Sequence, residues 1–269
     1  MTLEDLFSLK GRVALVTGGS RGIGKMIVEG FLAAGIERVY ISARKINEIE
    51  ETCAELGDRV IGIQGDLSTI EGIEALVEEL SGRESQLDIL VNNAGAAWGV
   101  DYLEFPEAGW DKVMDLNVKT PFFLTQKLHK LLIAGASADK PGKVINITSI
   151  DGQRVNPWET YSYQASKAAL IHLTRRMAAR LVKDHVYVTS LAPGAFPSNM
   201  NRAARDHEDA SAAGIAPAEK AATAMKAAPR RRLVLIMSLL RPFQTRICSV
   251  EEGHIRSAGL GKNVPRSMA

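Results

Sequence analysis

Residues 161–167 read YSYQASK, and of the five tyrosines in the chain only Tyr163 has a lysine, Lys167, four residues on. On a helix that spacing puts the phenol and the ammonium on one face. A free phenol has a pKa of about 10 and exchanges protons poorly at neutral pH. A neighbouring cation favours phenolate, so the expectation is a lowered pKa for Tyr163. Such a tyrosine can donate a proton to a carbonyl or take one from an alcohol. Ser149, 14 residues upstream, suits a hydrogen bond to the same substrate oxygen. Tyr161 is turned about 200° away from that face and reads as a pocket-rim or packing residue. With 14 lysines in 269 positions, the Tyr–Lys spacing alone is close to chance. The elements that position it must decide.

Short apolar runs alternate with longer amphipathic ones. RVALVT (12–17), RVYIS (38–42), VIGIQG (60–65), LDILVN (87–92), KVINITS (143–149) and VYVTSLA (186–192) read as strands. GIGKMIVEGFLAAG (22–35), INEIEETCAEL (46–56) and TIEGIEALVEEL (69–80) read as helices, the first two stopped by Gly35 and Gly57. Further helices are predicted over about 108–134 and about 160–182. Continuously apolar strands alternating with helices require a parallel sheet covered on both faces. The fold class is therefore α/β, a Rossmann-like doubly wound parallel sheet in a single domain. Ligands of such sheets bind at the carboxyl ends of the strands, and Ser149 lies at the end of the fifth. Asn117 lies inside the long helix, four residues before Pro121, which has no N–H to give its carbonyl. A helix running through this point kinks and leaves that carbonyl open to hold a water feeding protons to Lys167. A break made for packing alone is the other reading.

The first strand hands over to the first helix through TGGSRGIG (17–24). Gly18, Gly22 and Gly24 permit a tight turn, and the N–H groups of the turn, with Ser20 and Ile23, can face a pyrophosphate. The spacing is GxxxGxG rather than GxGxxG, and a glycine-rich turn alone is a weak signal; its place at the first strand–helix junction strengthens it. The second strand ends in ISARK, with Arg44 and Lys45 where an NAD-binding chain carries a carboxylate. With Arg21 nearby, these cations favour a 2′-phosphate, hence NADP over NAD; solvated basic residues at a strand end are the plainer reading. Asp66, followed by Leu67 after the third strand, suits either the adenine amino group or the cap of a helix beginning near Ser68. NNAG (92–95) ends the fourth strand: its asparagines can hold loop backbone, Asn93 and Ala94 border the cofactor, and Gly95 lets a ribose approach.

TGGSRGIG, NNAG, Asn117, Ser149, YQASK and Pro193-Gly194 together resemble the short-chain dehydrogenase/reductase family over about residues 10–200. The resemblance implies an NADP-binding Rossmann-fold catalytic domain over residues 1–200, with Asn117, Ser149, Tyr163 and Lys167 as the catalytic set. It implies that Lys167 also binds the nicotinamide ribose, that Pro193 and Gly194 lie beside the nicotinamide, and that Ser198 reaches its carboxamide. It places a substrate lid over residues 201–227, within the same domain. NNAGAAWG, GWDKVMDLNV and PGAFPSNM are most similar to β-ketoacyl (3-oxoacyl) reductases, including the rhamnolipid-pathway type. The implied activity is hydride transfer between the nicotinamide and a carbonyl or secondary alcohol, a 3-oxoacyl thioester among the candidates. A sugar, polyol, steroid or quinone substrate keeps the same chemistry; Trp98 and Trp158 either line the pocket or pack.

The last 50 or so residues depart from the family. Residues 228–269 show no helix, strand and Gly-Gly ending of the expected kind. The charge breaks in the same region: residues 1–210 carry 23 Lys+Arg against 28 Asp+Glu, whereas residues 211–269 carry 10 against 3. A shifted reading frame would produce such a tail, and its translation in the other frames tests this. An aberrant tail supports another reading, a cofactor-binding protein impaired in catalysis, and puts assembly as a tetramer rather than a homodimer in doubt. A net charge of +2 and the short PRRR run argue against nucleic acid. Cys53, Cys248 and five scattered histidines carry no metal-site spacing. An acidic N-terminus and no long apolar run point to a cytoplasmic protein rather than a secreted or membrane one.

Overall fold

The computed structural model describes residues 7–194. Their six strands form one parallel sheet in the order β3-β2-β1-β4-β5-β6. The strands are β1 (Val13–Thr17), β2 (Arg38–Ala43), β3 (Val60–Gln64), β4 (Ile89–Asn92), β5 (Gly142–Ile147) and β6 (Val186–Leu191). The helices between them are α1 (Gly22–Ala33), α2 (Ile46–Leu56), α3 (Ile70–Arg83), α4 (Glu107–Met114), α5 (Thr120–Lys127), α6 (His129–Ala134) and α7 (Tyr161–Leu181). Strand order reverses beside β1, whose neighbours β2 and β4 are reached by connections running opposite ways. That reversal opens a crevice at the carboxyl ends of the strands.

The period of two along β1 sorts the core into two layers. Ala14 and Val16 face Ile27, Val28 and Phe31 of α1 and Ile49 of α2. Val13 and Leu15 face Ile73, Leu76 and Leu80 of α3, Leu124 of α5 and Met177 of α7. Both faces of β1 are thus buried, which is why its sequence is apolar without alternation. Helix ends follow their glycines: Gly35 and Gly57 have φ of 79° and 87°, a conformation that costs a residue without Cβ little.

The predicted single helix over 108–134 is a correction. It is divided into α4, a π turn over Asp115–Lys119, α5 and α6. Within the π turn the Thr120 N–H reaches back five residues to the Asp115 carbonyl, and the Thr120 hydroxyl bonds the same oxygen at 3.0 Å. Pro121, lacking an N–H, falls just where an uninterrupted helix would need one. Helix α3 also starts differently from the reading that gave its cap to Asp66. Thr69 is the cap, accepting the Gly72 N–H at 3.1 Å, while Asp66 accepts the N–H and hydroxyl of Ser68 at 3.0 and 2.8 Å. Residues 201–227 and 228–269, read above as a lid and an atypical tail, lie outside the described residues, as does Ser198.

The opposite edge of the sheet is braced by two buried carboxylates that the motifs did not signal. Asp88 takes the Val13 N–H at 2.9 Å and ion pairs from Arg12 and Lys140, both at 3.1 Å. Glu84 takes Arg38 Nε at 2.6 Å and the Tyr40 hydroxyl at 2.8 Å. Burial, then the Glu84 bond, push the Tyr40 phenol up to about 12.

Candidate active site

The turn after β1 is stapled to the end of β4. Asn93 Nδ2 donates to the carbonyls of Thr17 and Gly18 at 2.9 and 3.1 Å. The Thr17 hydroxyl accepts the N–H groups of Asn93 and Ala94 at 3.0 and 2.9 Å. These bonds leave no room for side chains inside the turn. A Cβ on Gly24 would run into the Gly18 carbonyl and stand 2.6 Å from Asn93 Nδ2. Gly18 and Gly22 have φ of 64° and 56°, and a Cβ on Gly22 would point into open space. Helix α1 begins here with no side-chain cap and no acid in its first turn, so its first N–H groups stay available for an anion. Ser20 is buried, and its carbonyl accepts the Thr52 hydroxyl at 2.9 Å, which seats α2 against the turn; Ile23 packs half-buried on the adjoining core. The arrangement fits the pyrophosphate of a dinucleotide.

The cations of the second strand's end lie beside this turn. Arg21 Nη1 and Lys45 Nζ both contact Glu48 Oε1, at 3.1 and 3.0 Å. Gln64 Nε2 holds the Arg44 carbonyl at 3.0 Å. Burial alone would raise the Asp66 carboxyl, but the Ser68 hydrogen bonds and the Arg44 charge outweigh it and lower its pKa. Leu67 is buried, and its carbonyl accepts the Thr120 hydroxyl, tying the third strand's loop to the π turn.

The π turn positions Asn117. Its Oδ1 accepts the Ala96 N–H at 2.8 Å, and its Nδ2 donates to the Ala96 carbonyl and the Ser166 hydroxyl, both at 2.9 Å. Ser166 in turn donates to the Tyr163 carbonyl at 2.7 Å. Gly95 lies between the two helices: a Cβ there would stand 3.2 Å from Asn117 Oδ1 and 3.7 Å from Lys167 Nζ. Asn117, Tyr163 and Lys167 are thus brought to one place by residues 94–96.

Lys167 is 5% exposed, and its ammonium donates to the Ile147 carbonyl at 2.9 Å. Burial pulls its pKa down to about 8. Its Nζ stands 5.6 Å from the centroid of the Tyr163 ring. Tyr163 reverses the expectation of a lowered phenol. Burial raises its pKa; a hydrogen bond from Ser149 opposes this and the Asp151 charge adds to it. The lysine lies over the ring rather than at the hydroxyl, so its cation does not offset the lost solvation. Ser149 is buried just beyond β5 and accepts the Asp151 N–H at 3.1 Å. Pro193 is fixed beside it, because its carbonyl accepts the Ile150 N–H at 3.1 Å; Gly194, next in the chain, is exposed.

Several residues that build the site escaped the motif reading. Asn92 Nδ2 donates to Asn146 Oδ1 at 2.8 Å, and Asn146 Nδ2 donates to the Thr174 hydroxyl at 2.9 Å. This buried chain links β4, β5 and α7. The signal for it was an asparagine in the middle of an apolar strand, which is rare without a partner. Asn92 also differs from Asn93: it serves the core rather than the loop. Tyr161 sits on the rim, its ring 5.6 and 5.7 Å from those of Tyr102 and Phe105. Trp98 packs on α4: a Cβ on Gly109 would stand 2.8 Å from its indole. The Trp158 N–H is held by Asn156 Oδ1 at 2.9 Å, in the loop before α7.

A model of the short chain dehydrogenase family matches residues 12–209. The rhamnolipids biosynthesis 3-oxoacyl-(acyl-carrier-protein) reductase of Pseudomonas aeruginosa is 46% identical over 206 residues, 74% of this chain and 78% of that protein. A 2-dehydro-3-deoxy-D-gluconate 5-dehydrogenase of Escherichia coli is 39% identical over 210 residues, 77% of this chain and 80% of that protein. Among solved structures, the RhlG/NADP active-site complex of Pseudomonas aeruginosa superposes with a TM-score of 0.75 at 41% identity, over 87% of this chain and 91% of that one.

Proposed function

The chain belongs to the short chain dehydrogenase family, and from that premise we propose that it reduces a 3-oxoacyl thioester with NADPH. It is an oxidoreductase that moves hydride between NADP and a carbonyl or secondary alcohol. The observation that carries the site assignment is the half-buried Tyr163 over the buried Lys167, beside the buried Ser149 at the carboxyl end of β5. Residues 18–24 and 93–95 would hold the pyrophosphate and ribose, Arg21 and Arg44, with Lys45 beside them, the 2′-phosphate, and Asp66 and Leu67 would border the adenine. Lys167, Pro193, Gly194 and Ser198 would flank the nicotinamide, which, when bound, supplies or accepts the hydride.

The chain's own residues handle the proton. Tyr163, a phenol at neutral pH whose pKa burial raises further, is in the state that donates to a carbonyl oxygen during reduction. Ser149 hydrogen-bonds that same oxygen and holds the carbonyl in place. Lys167, with a pKa of about 8, can return a proton to Tyr163 near neutrality. Asn117 fixes residue 96 and, through Ser166, the start of α7, and so sets the distance between loop and helix.

The 3-oxoacyl substrate is supported by the 46% identical reductase. A sugar-acid substrate is the second reading, supported by the 39% identical gluconate dehydrogenase. A panel of both substrate classes with NADPH and NADH, followed by nicotinamide absorbance, separates them. Tyr163→Phe is expected to lower kcat by about a hundredfold or more while NADPH binding persists. Surviving turnover would remove Tyr163 from the role. We also place the protein in the cytoplasm as a homodimer or homotetramer. No helix among the described residues is long and apolar enough to cross a membrane. The surface we assign to self-association is a hollow between α5 and α7, where Phe122, Leu173, Met177 and Leu181 lie among polar residues that include His129, Arg176 and Arg180.

A further inference from the structure

We propose that Glu48 is a built-in competitor for the 2′-phosphate of the cofactor, and that it tunes the affinity for NADP relative to NAD. The inference rests on the NADP reading above. A single oxygen, Glu48 Oε1, lies 3.1 Å from Arg21 Nη1 and 3.0 Å from Lys45 Nζ. An anion bridging two cations stands where a phosphate oxygen would have to stand to use the same two cations. The backbone that carries this carboxylate is tied to the glycine turn. The single Thr52 hydroxyl proton, one turn along α2, is shared between the Ser20 carbonyl of the glycine turn at 2.9 Å and the Glu48 carbonyl at 2.8 Å.

The exposures of the three side chains show which of them can move. Arg21 and Lys45 keep 59% and 72% of their side-chain surface in solvent, whereas Glu48 keeps 27%. The cations can swing from the carboxylate to a phosphate while the carboxylate stays. A cofactor with a free 2′-hydroxyl has no call on either cation and leaves the two ion pairs in place. A cofactor with a 2′-phosphate must break or share both. The carboxylate therefore weakens NADP selectively. It is a specificity-determining residue, outside the catalytic set.

Adenosine 2′,5′-bisphosphate and 5′-AMP differ only in the 2′-phosphate, and titration calorimetry of both against the full chain reads the effect without turnover. Two exposed ion pairs are worth little individually, so Glu48→Gln should tighten the bisphosphate roughly three- to tenfold while 5′-AMP changes less than about twofold. An unchanged or weaker bisphosphate would overturn the proposal and make Glu48 an orienting residue for the cations. Equal tightening of both ligands would overturn it too, since the charge would then act on the whole site. Lys45→Ala provides a second arm: it should shrink the gain from Glu48→Gln, and a gain of full size in that background would count against the shared-oxygen geometry. If the unaltered chain binds the bisphosphate no tighter than 5′-AMP, the NADP reading itself fails, an outcome separate from any effect of Glu48.

Discussion

Burial disfavours the charged forms of both Tyr163 and Lys167, pushing the phenol up and the ammonium down to about 8. The pair thus rests as a phenol beside an amine that is half charged near pH 8, rather than as phenolate beside ammonium. This suits proton donation, the reductive direction. It also makes a stability prediction with a definite sign. An unfolded lysine ionises near 10.5, so between about pH 8 and 10.5 the unfolded chain binds more protons at this residue than the folded one. The penalty for burying the charge is whole below pH 8 and is relieved as pH rises, by up to about 3 kcal/mol. Tyrosines with raised pKa values act in the opposite sense only above pH 10. Urea midpoints at pH 7.5 and 9.5 should therefore rise for the unaltered chain relative to Lys167→Met. Parallel behaviour of the two would mean that Lys167 is solvated.

The elements hold these residues through polar bonds buried between them. The link from Asn92 through Asn146 to Thr174 runs across two strands and into α7, seven residues beyond Lys167. Replacing Asn146 by Leu leaves the Asn92 amide with only Thr125, at 3.4 Å, and takes away the N–H that the Thr174 hydroxyl accepts. The expected loss is about 2 kcal/mol of stability, because a buried polar group without a partner costs roughly that. A fall in kcat at unchanged NADPH affinity should accompany it if the chain sets the placement of α7. A stability loss with intact kcat would reduce it to a core brace. The π turn plays the corresponding part for Asn117. By taking an extra residue into one turn, it directs the amide of Asn117 to both Ala96 and Ser166.

At the scale of the molecule, the candidate site gathers at one edge of the sheet and the buried ion pairs at the other. Thr17, Asn93 and Ser149 lie at the carboxyl ends, where backbone N–H groups and glycines face outward. Asp88 and Glu84, with their cations, close the amino ends. The hollow between α5 and α7 exposes Phe122 and carries the half-buried Leu173 on the flank next to β6, the sheet's last strand among the described residues. Sedimentation velocity should give two or four times 29.1 kDa. Phe122→Arg should lower that mass, since it would add a further cation to a hollow already lined by Arg176 and Arg180. A monomer in the unaltered protein would remove the oligomer reading.

The sequence by itself determined the order of the strands, the helices outside 108–134, the parallel sheet and the family, because each rests on local patterns. Apolar runs of five or six residues, Gly35 and Gly57 at helix ends, and the glycine turn are all legible without knowing what they pack against. It also brought Ser149, Tyr163, Lys167 and Asn117 into one list, by motif and spacing. What only the tertiary structure decided depends on groups distant along the chain. The sign of the Tyr163 shift follows from its burial, not from having Lys167 at the fourth position. Asn93 turned to the loop and Asn92 to the core because adjacent residues of a strand end face opposite ways, and only the neighbouring β5 says which side holds an acceptor. No motif marked Glu48, a first-turn acid of α2, and only folding set it between Lys45 and Arg21, the latter 27 residues away. Solvation and partner geometry are properties of the packed chain, and a pattern of residue types does not carry them.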